Sequence, residues 1–147
     1  METKFNFKSQ ICTSREQSER LLALGLKKET ADCGHFYGRD EHSEYSYWST
    51  EILDGNWKSY WDVTDEEIPA WSLHRLIEMM PNNIHKYNDI ADLSVSNELV
   101  QYRFYDVDYN HDVCLEHFND GTLFDNIIDC IAWLIKEGYF KKEYLEE

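Results

Sequence analysis

The sequence predicts an α+β domain: about three helices packed on a mainly antiparallel sheet, in the order α-β-β-α-β-β-β-α. Three observations carry that prediction. Apolar residues from Leu123 to Ile135 recur at helical spacing, whereas those in 100–104 and 113–117 alternate with polar ones, as in half-buried strands. The elements do not alternate strand-helix-strand, which argues against the parallel sheet of a βαβ protein. The 147 residues suit one domain, 1–147, and an apolar fraction of 42% with 15% aromatics is too rich for a disordered acidic chain.

The first helix is expected over 14–24. Thr13-Ser14-Arg15-Glu16 reads as a capping box, Leu21, Leu22 and Leu24 supply the apolar stripe, and Gly25 supplies the stop. Leu26 to Asp32 reads as a docked loop or short turn. From 35 to 63 short aromatic segments follow, with Tyr45, Tyr47 and Ile52 in one run and Trp57, Tyr60 and Trp61 in the next. Asp54-Gly55 between them is a hairpin signal. Acids at 65–67 followed by Pro69 suit a helix start, and Leu73, Leu76, Ile77 and Met80 continue at helical spacing to Pro81, so a second helix is expected over 69–80.

Residues 88–119 read as strands: a weak one around Ile90 to Val95, then Val100/Tyr102/Phe104, then Val113/Leu115/His117. Asp106 to Asp112 forms the loop between the last two. Thr122 caps the third helix, whose apolar face runs through Phe124, Ile127, Ile128, Ile131, Leu134 and Ile135, and Gly138 ends it.

Charge narrows the function. The net charge is −15, and it is unevenly placed: residues 1–40 carry seven bases and six acids, whereas 41–135 carry four bases and nineteen acids. Such a surface repels phosphate backbones and anionic lipids, so neither direct nucleic-acid binding nor a membrane surface is expected. A basic protein partner is compatible with it, and so is a plain solubilising role for the acids. No apolar run approaches the roughly 20 residues of a spanning helix. The opening METKFNFKSQ has no apolar signal core, so the expected location is the cytoplasm. Cysteines at 12, 33, 114 and 130 follow no C-x-x-C pattern and are expected reduced and mostly buried.

Candidate chemistry is sparse. Asp106-x-Asp108-x-Asn110-x-Asp112 resembles the start of an EF-hand calcium loop, but the glycine position holds His111, the bidentate-glutamate position holds His117, and the flanks read as strands. A solvated hairpin loop is the simpler reading. Cys33 and His35, with Asp40 and His42 nearby, are zinc-ligand types without the second spaced pair that a structural site needs. No G-x-S-x-G elbow, P-loop or G-x-G-x-x-G is present, and carboxylate pairs carry no signal in so acidic a chain. No cofactor or metal is implied, and an enzyme is the minor expectation.

The aromatic cluster Tyr45, Tyr47, Trp48, Trp57, Tyr60 and Trp61 is the candidate binding site. Tyr and Trp give large contact area at low entropy cost, and these sit among Glu41, Glu44, Glu51, Asp54 and Asp62. Internal packing, an acidic-aromatic face for a basic protein and a ligand pocket are the three readings of it.

Three stretches carry a resemblance: Glu16 to Asp32 (EQSERLLALGLKKETAD), Ile68 to Pro81 (IPAWSLHRLIEMMP) and Phe124 to Ile135 (FDNIIDCIAWLI). Together they resemble a group of small acidic proteins from gut Bacteroidetes, their phages and mobile elements, with P-A-W-S-L the most specific piece. The stretches cover about a third of the chain and run from one end to the other. The resemblance implies a bacterial or phage accessory protein and brings no catalytic residue with it. The expected function is therefore a non-enzymatic acidic interaction protein, with inhibition of a basic host protein as its concrete form. The alternative is a small-molecule binder or minor enzyme with an aromatic-lined pocket.

Overall fold

The computed structural model describes residues 5, 9–38, 45–53, 64–86 and 88–147. Its elements run α1 (Arg15–Ala23), β1 (Cys33–Gly38), β2 (Tyr47–Ile52), β3 (Thr64–Ala70), α2 (Leu73–Met79), β4 (Asn83–Lys86), β5 (Asp89–Val95), β6 (Val100–Asp106), β7 (His111–Phe118) and α3 (Leu123–Glu137). Short 3-10 turns at Lys28–Thr30 and Lys142–Tyr144 complete the described residues. The fold is α+β, with three helices and two antiparallel sheets, ordered β2-β1-β3 and β4-β5-β6-β7, among the described residues. Among the described residues no helix is long and apolar enough to cross a membrane.

The element order departs from expectation in two places, around Pro69 and after Pro81. Residues 64–70 form a strand rather than the start of a helix, because Glu66 and Glu67 pair with Tyr37 and Phe36 of β1. That pairing overrides the helix preference of acids followed by proline. It is allowed because β3 is an edge strand, where a missing N–H is tolerated. The second helix consequently shortens to Leu73–Met79, with the Ser72 hydroxyl accepting from the Arg75 amide at its N-terminus. The second departure is β4, a four-residue strand directly after Pro81 that pairs with β5 and extends the later strands into a sheet of their own.

The first helix forms as expected, with its cap one residue later. Ser14 accepts from the Gln17 amide while the Gln17 side chain accepts from the Ser14 amide, a reciprocal capping box. Thr13 is buried instead, sharing a hydrogen bond of 2.7 Å with Ser18 and accepting from the Trp71 amide at 3.1 Å. Of the apolar stripe only Leu21 is buried; Leu22 lies outward. The Asp54-Gly55 hairpin signal lies outside the described residues.

The third helix follows the sequence closely. Thr122 accepts from the Asp125 amide, and Gly138 takes a left-handed conformation (φ +80°), which a side chain would oppose. Phe124, Ile127, Ile128, Ile131 and Leu134 are buried against β6 and β7, with Trp71, Leu76 and Tyr102 in the same core. The polar groups that this core covers are satisfied. The Tyr102 hydroxyl donates to the Pro81 carbonyl at 2.7 Å, the Trp71 indole to Thr30 Oγ1 at 2.9 Å, and Asn126 bonds both backbone groups of Gly121.

The Asp106 to Asp112 stretch is the β6–β7 hairpin. Asp106 accepts from the amides of Asp108 and Tyr109, and Asn110 turns the chain at φ +55°. The first acid of the calcium-like pattern thus serves the turn itself.

An acidic-aromatic cleft beside a thiol cluster

Register places the chemistry of the three-stranded sheet. Residues directly opposite in antiparallel strands share a face, so β1 lays down three rows between β2 and β3. They are Trp48–Tyr37–Glu66, Thr50–His35–Ile68 and Ile52–Cys33–Ala70. Helix α1 packs against β3, and residues 12–14 lead into it alongside the Trp71–Ser72 backbone.

The first row forms one wall of a cleft of about 550 Å³. Tyr37, Trp48, Glu66 and Ile68 line the sheet side, and Arg15, Glu16 and Glu19 line the helix side. Helical spacing sets the latter, since positions three apart share a helix face. The cleft thus holds two aromatic rings, three carboxylates and one guanidinium. Arg15 is already engaged: its guanidinium carbon stands 4.2 Å from the centroid of the Trp48 ring. Tyr37 packs on the same ring, with centroids 5.3 Å apart. An aromatic face flanked by carboxylates stabilises a cation through the ring quadrupole and through charge together.

Of the six sequence-predicted binding residues, Trp48 lines this cleft. Tyr47, its neighbour on β2, belongs to the opposite face by strand alternation and is 41% exposed, and Tyr45 precedes the strand and is 79% exposed. Trp57, Tyr60 and Trp61 lie outside the described residues. The sequence reading missed Arg15, Glu16, Glu19, Tyr37 and Glu66. Glu16 and Glu19 carry a local signal, an outward acidic i,i+3 pair on a capped helix. Tyr37 and Glu66 carry none, because only the registers of β1 with β2 and with β3 bring them beside Trp48.

The third row holds Cys33, which packs with Cys12 and Ala70 in a small cluster apart from the main core. His35, in the middle row, bridges that cluster to its surroundings. Its Nε2 donates to the Thr13 carbonyl at 2.7 Å, and Nδ1 is 2.8 Å from Thr50 Oγ1. Asp32 is held by the Ser72 amide at 2.8 Å and the Ser72 hydroxyl at 2.5 Å. Among the described residues no three His, Cys, Asp or Glu side chains are arranged to hold a metal ion. Asp40 and His42 lie outside the described residues.

Compared with protein-family models, curated proteins and solved structures, the chain matches none.

Proposed function

We propose that the protein is a non-enzymatic acidic interaction protein of a bacterium or phage, acting in the cytoplasm. It binds a basic protein by taking an arginine or lysine side chain into the cleft between α1 and β1–β3. The observation that carries the reading is Arg15 over Trp48. The chain's own guanidinium occupies a cation seat beside Glu16, Glu19 and Glu66, and an incoming side chain of the same chemistry would displace it. Attraction at long range comes from the nineteen acids of residues 41–135. A cation desolvated on a Trp face gains up to about 2 kcal/mol, which sets the scale for the seat. A volume of about 550 Å³ also suits a small cationic molecule, which is the second reading.

The test is titration of an arginine-rich peptide by calorimetry at low and moderate salt. Trp48→Ala should weaken binding about 5- to 30-fold, the equivalent of about 1–2 kcal/mol. Glu16→Lys/Glu19→Lys should weaken it further, while the salt dependence that comes from the acids of residues 41–135 remains. Arg15→Ala should strengthen binding by freeing the ring. Asp89→Lys/Asp92→Lys, an equal charge change on the other sheet, is the control. If both double variants weaken binding alike, the attraction is diffuse and the cleft is not the site. The same variants carried through affinity capture from a bacterial lysate, with and without nuclease, then test the natural partner.

A further inference from the structure

The opposite end of the same sheet face carries a second constellation, independent of the cleft. Cys12 and Cys33 are 4% and 1% exposed, and each is fixed by backbone pairing: Cys12 lies antiparallel against Ser72, and Cys33 lies opposite Ala70. The two residues pack in one small buried cluster with Ala70, and Cys12 and His35 line the same surface cleft. The groups that face Cys12 are Cys33, His35 and Asp32, and Arg15 acts on His35 from α1. Asp32 spends its carboxylate on Ser72. The His35 ring is held between the Thr13 carbonyl and Thr50 Oγ1, and the neighbouring Cys12 raises its basicity.

The consequence is unequal acidity. The neighbouring Cys33 thiol, outweighing burial and aided by His35, lowers Cys12 below the usual thiol range. Cys33 is pushed up by the neighbouring Cys12, with burial and Asp32 adding to the effect. Burial raises Cys114 and pushes Cys130 up to about 12, so Cys12 alone of the four thiols is lowered. Access follows the same order. A surface cleft of about 300 Å³, bounded by Ile11, Cys12, Thr13, His35 and Thr50, reaches Cys12 and does not include Cys33.

We propose that Cys12 and Cys33 form a reactive dithiol that exchanges with low-molecular-weight disulfides, Cys12 attacking and Cys33 resolving. The Cys12 thiolate forms a bond to one sulfur of a small disulfide RSSR, and the other sulfur leaves as a thiolate that takes a proton from water. Cys33 then gives up its proton and attacks the Cys12 sulfur, expelling the second RS⁻, which is protonated in turn. The protein loses two electrons and two protons, and RSSR gains them as two RSH. A buried, structurally inert thiol pair is the reading against which this is set.

Two measurements decide it. Reduced wild-type protein is pulsed with iodoacetamide at about pH 6, where an ordinary thiol is almost wholly protonated, and each cysteine is followed by peptide mass spectrometry. Cys12 should react at least about 10-fold faster than the exposed Cys114, with core Cys130 unmodified as the sign that the fold is intact. Cys114 reacting first, with Cys12 untouched until the chain is denatured, overturns the proposal. Oxidised glutathione should then give a Cys12–Cys33 disulfide, seen as the loss of two hydrogens. Cys33→Ser, which keeps a hydroxyl donor, should accumulate a glutathione adduct on Cys12, while Cys12→Ser should leave Cys33 unmodified. Adducts confined to Cys114 in all three proteins overturn the proposal, with circular dichroism reporting that the variants are folded.

Discussion

Helix α3 buries Ile127, Ile128, Ile131 and Leu134 completely, over a sheet face carrying Val100 and Tyr102, whereas α1 buries only Ser18 and Leu21. The two halves of the molecule are held by different forces. Around α3, hydrocarbon removed from water dominates, a non-directional term that scales with area. Around α1 and the three-stranded sheet, directed contacts place the chain: Thr13 to Ser18 and Trp71, Asp32 to Ser72, and His35 to Thr13 and Thr50. The thiol cluster and the charged cleft both belong to the second half. A core of interlocking isoleucines leaves no room for reactive or charged groups, whereas a polar framework can hold them at fixed geometry.

The contrast is testable by substitution. Ile127→Ala should produce the largest loss, about 2–5 kcal/mol in denaturant unfolding, since a fully buried side chain leaves a cavity. A loss under about 1 kcal/mol would mean that the α3 interface is loosely packed. Thr13→Val should cost about 1–3 kcal/mol at nearly constant volume, because the Trp71 amide and the Ser18 hydroxyl each lose a buried partner. If the two losses came out equal, the division between hydrocarbon and polar support would have no basis.

The seam between the halves should respond more weakly. Gln17 donates to Asp125 Oδ1 at 2.7 Å, and this bond, ahead of those from Thr122, holds the Asp125 carboxyl below its usual value of 3.8. A depressed folded-state value stabilises the protein above the unfolded value, and that contribution is lost as pH falls through the folded one. Stability measured from neutral pH down past 3.8 should therefore decline, and the decline should be smaller in Asp125→Asn. Identical pH profiles would disconnect Asp125 from the seam. Arg20→Ala, which removes a half-exposed ion pair of 2.6 Å with Asp129, should cost least, about 0.2–1 kcal/mol, and still less in high salt.

Helix α3 was legible in the sequence because its signals are local and agree with one another. The Thr122 cap, the apolar face from Phe124 to Leu134 and the Gly138 stop lie within one short stretch and point to one structure. The region around Pro69 was misread because local chemistry and long-range pairing disagree there. Acids before a proline suit a helix start, yet the ladder with β1 makes a strand. Within the binding cluster Trp48 was legible by residue type, but its neighbours were not, since Arg15, Tyr37 and Glu66 are far apart in the chain.

The sequence by itself determined the α+β class, the cap, stop and apolar face of α3, and the net charge. Each of these depends on residue type or on spacings of a few positions. Only the tertiary structure decided that Arg15 stacks on Trp48 and that Cys12 packs with Cys33. Strand register brings such groups together, and register is set by how whole strands bury and pair, which no short stretch of sequence encodes.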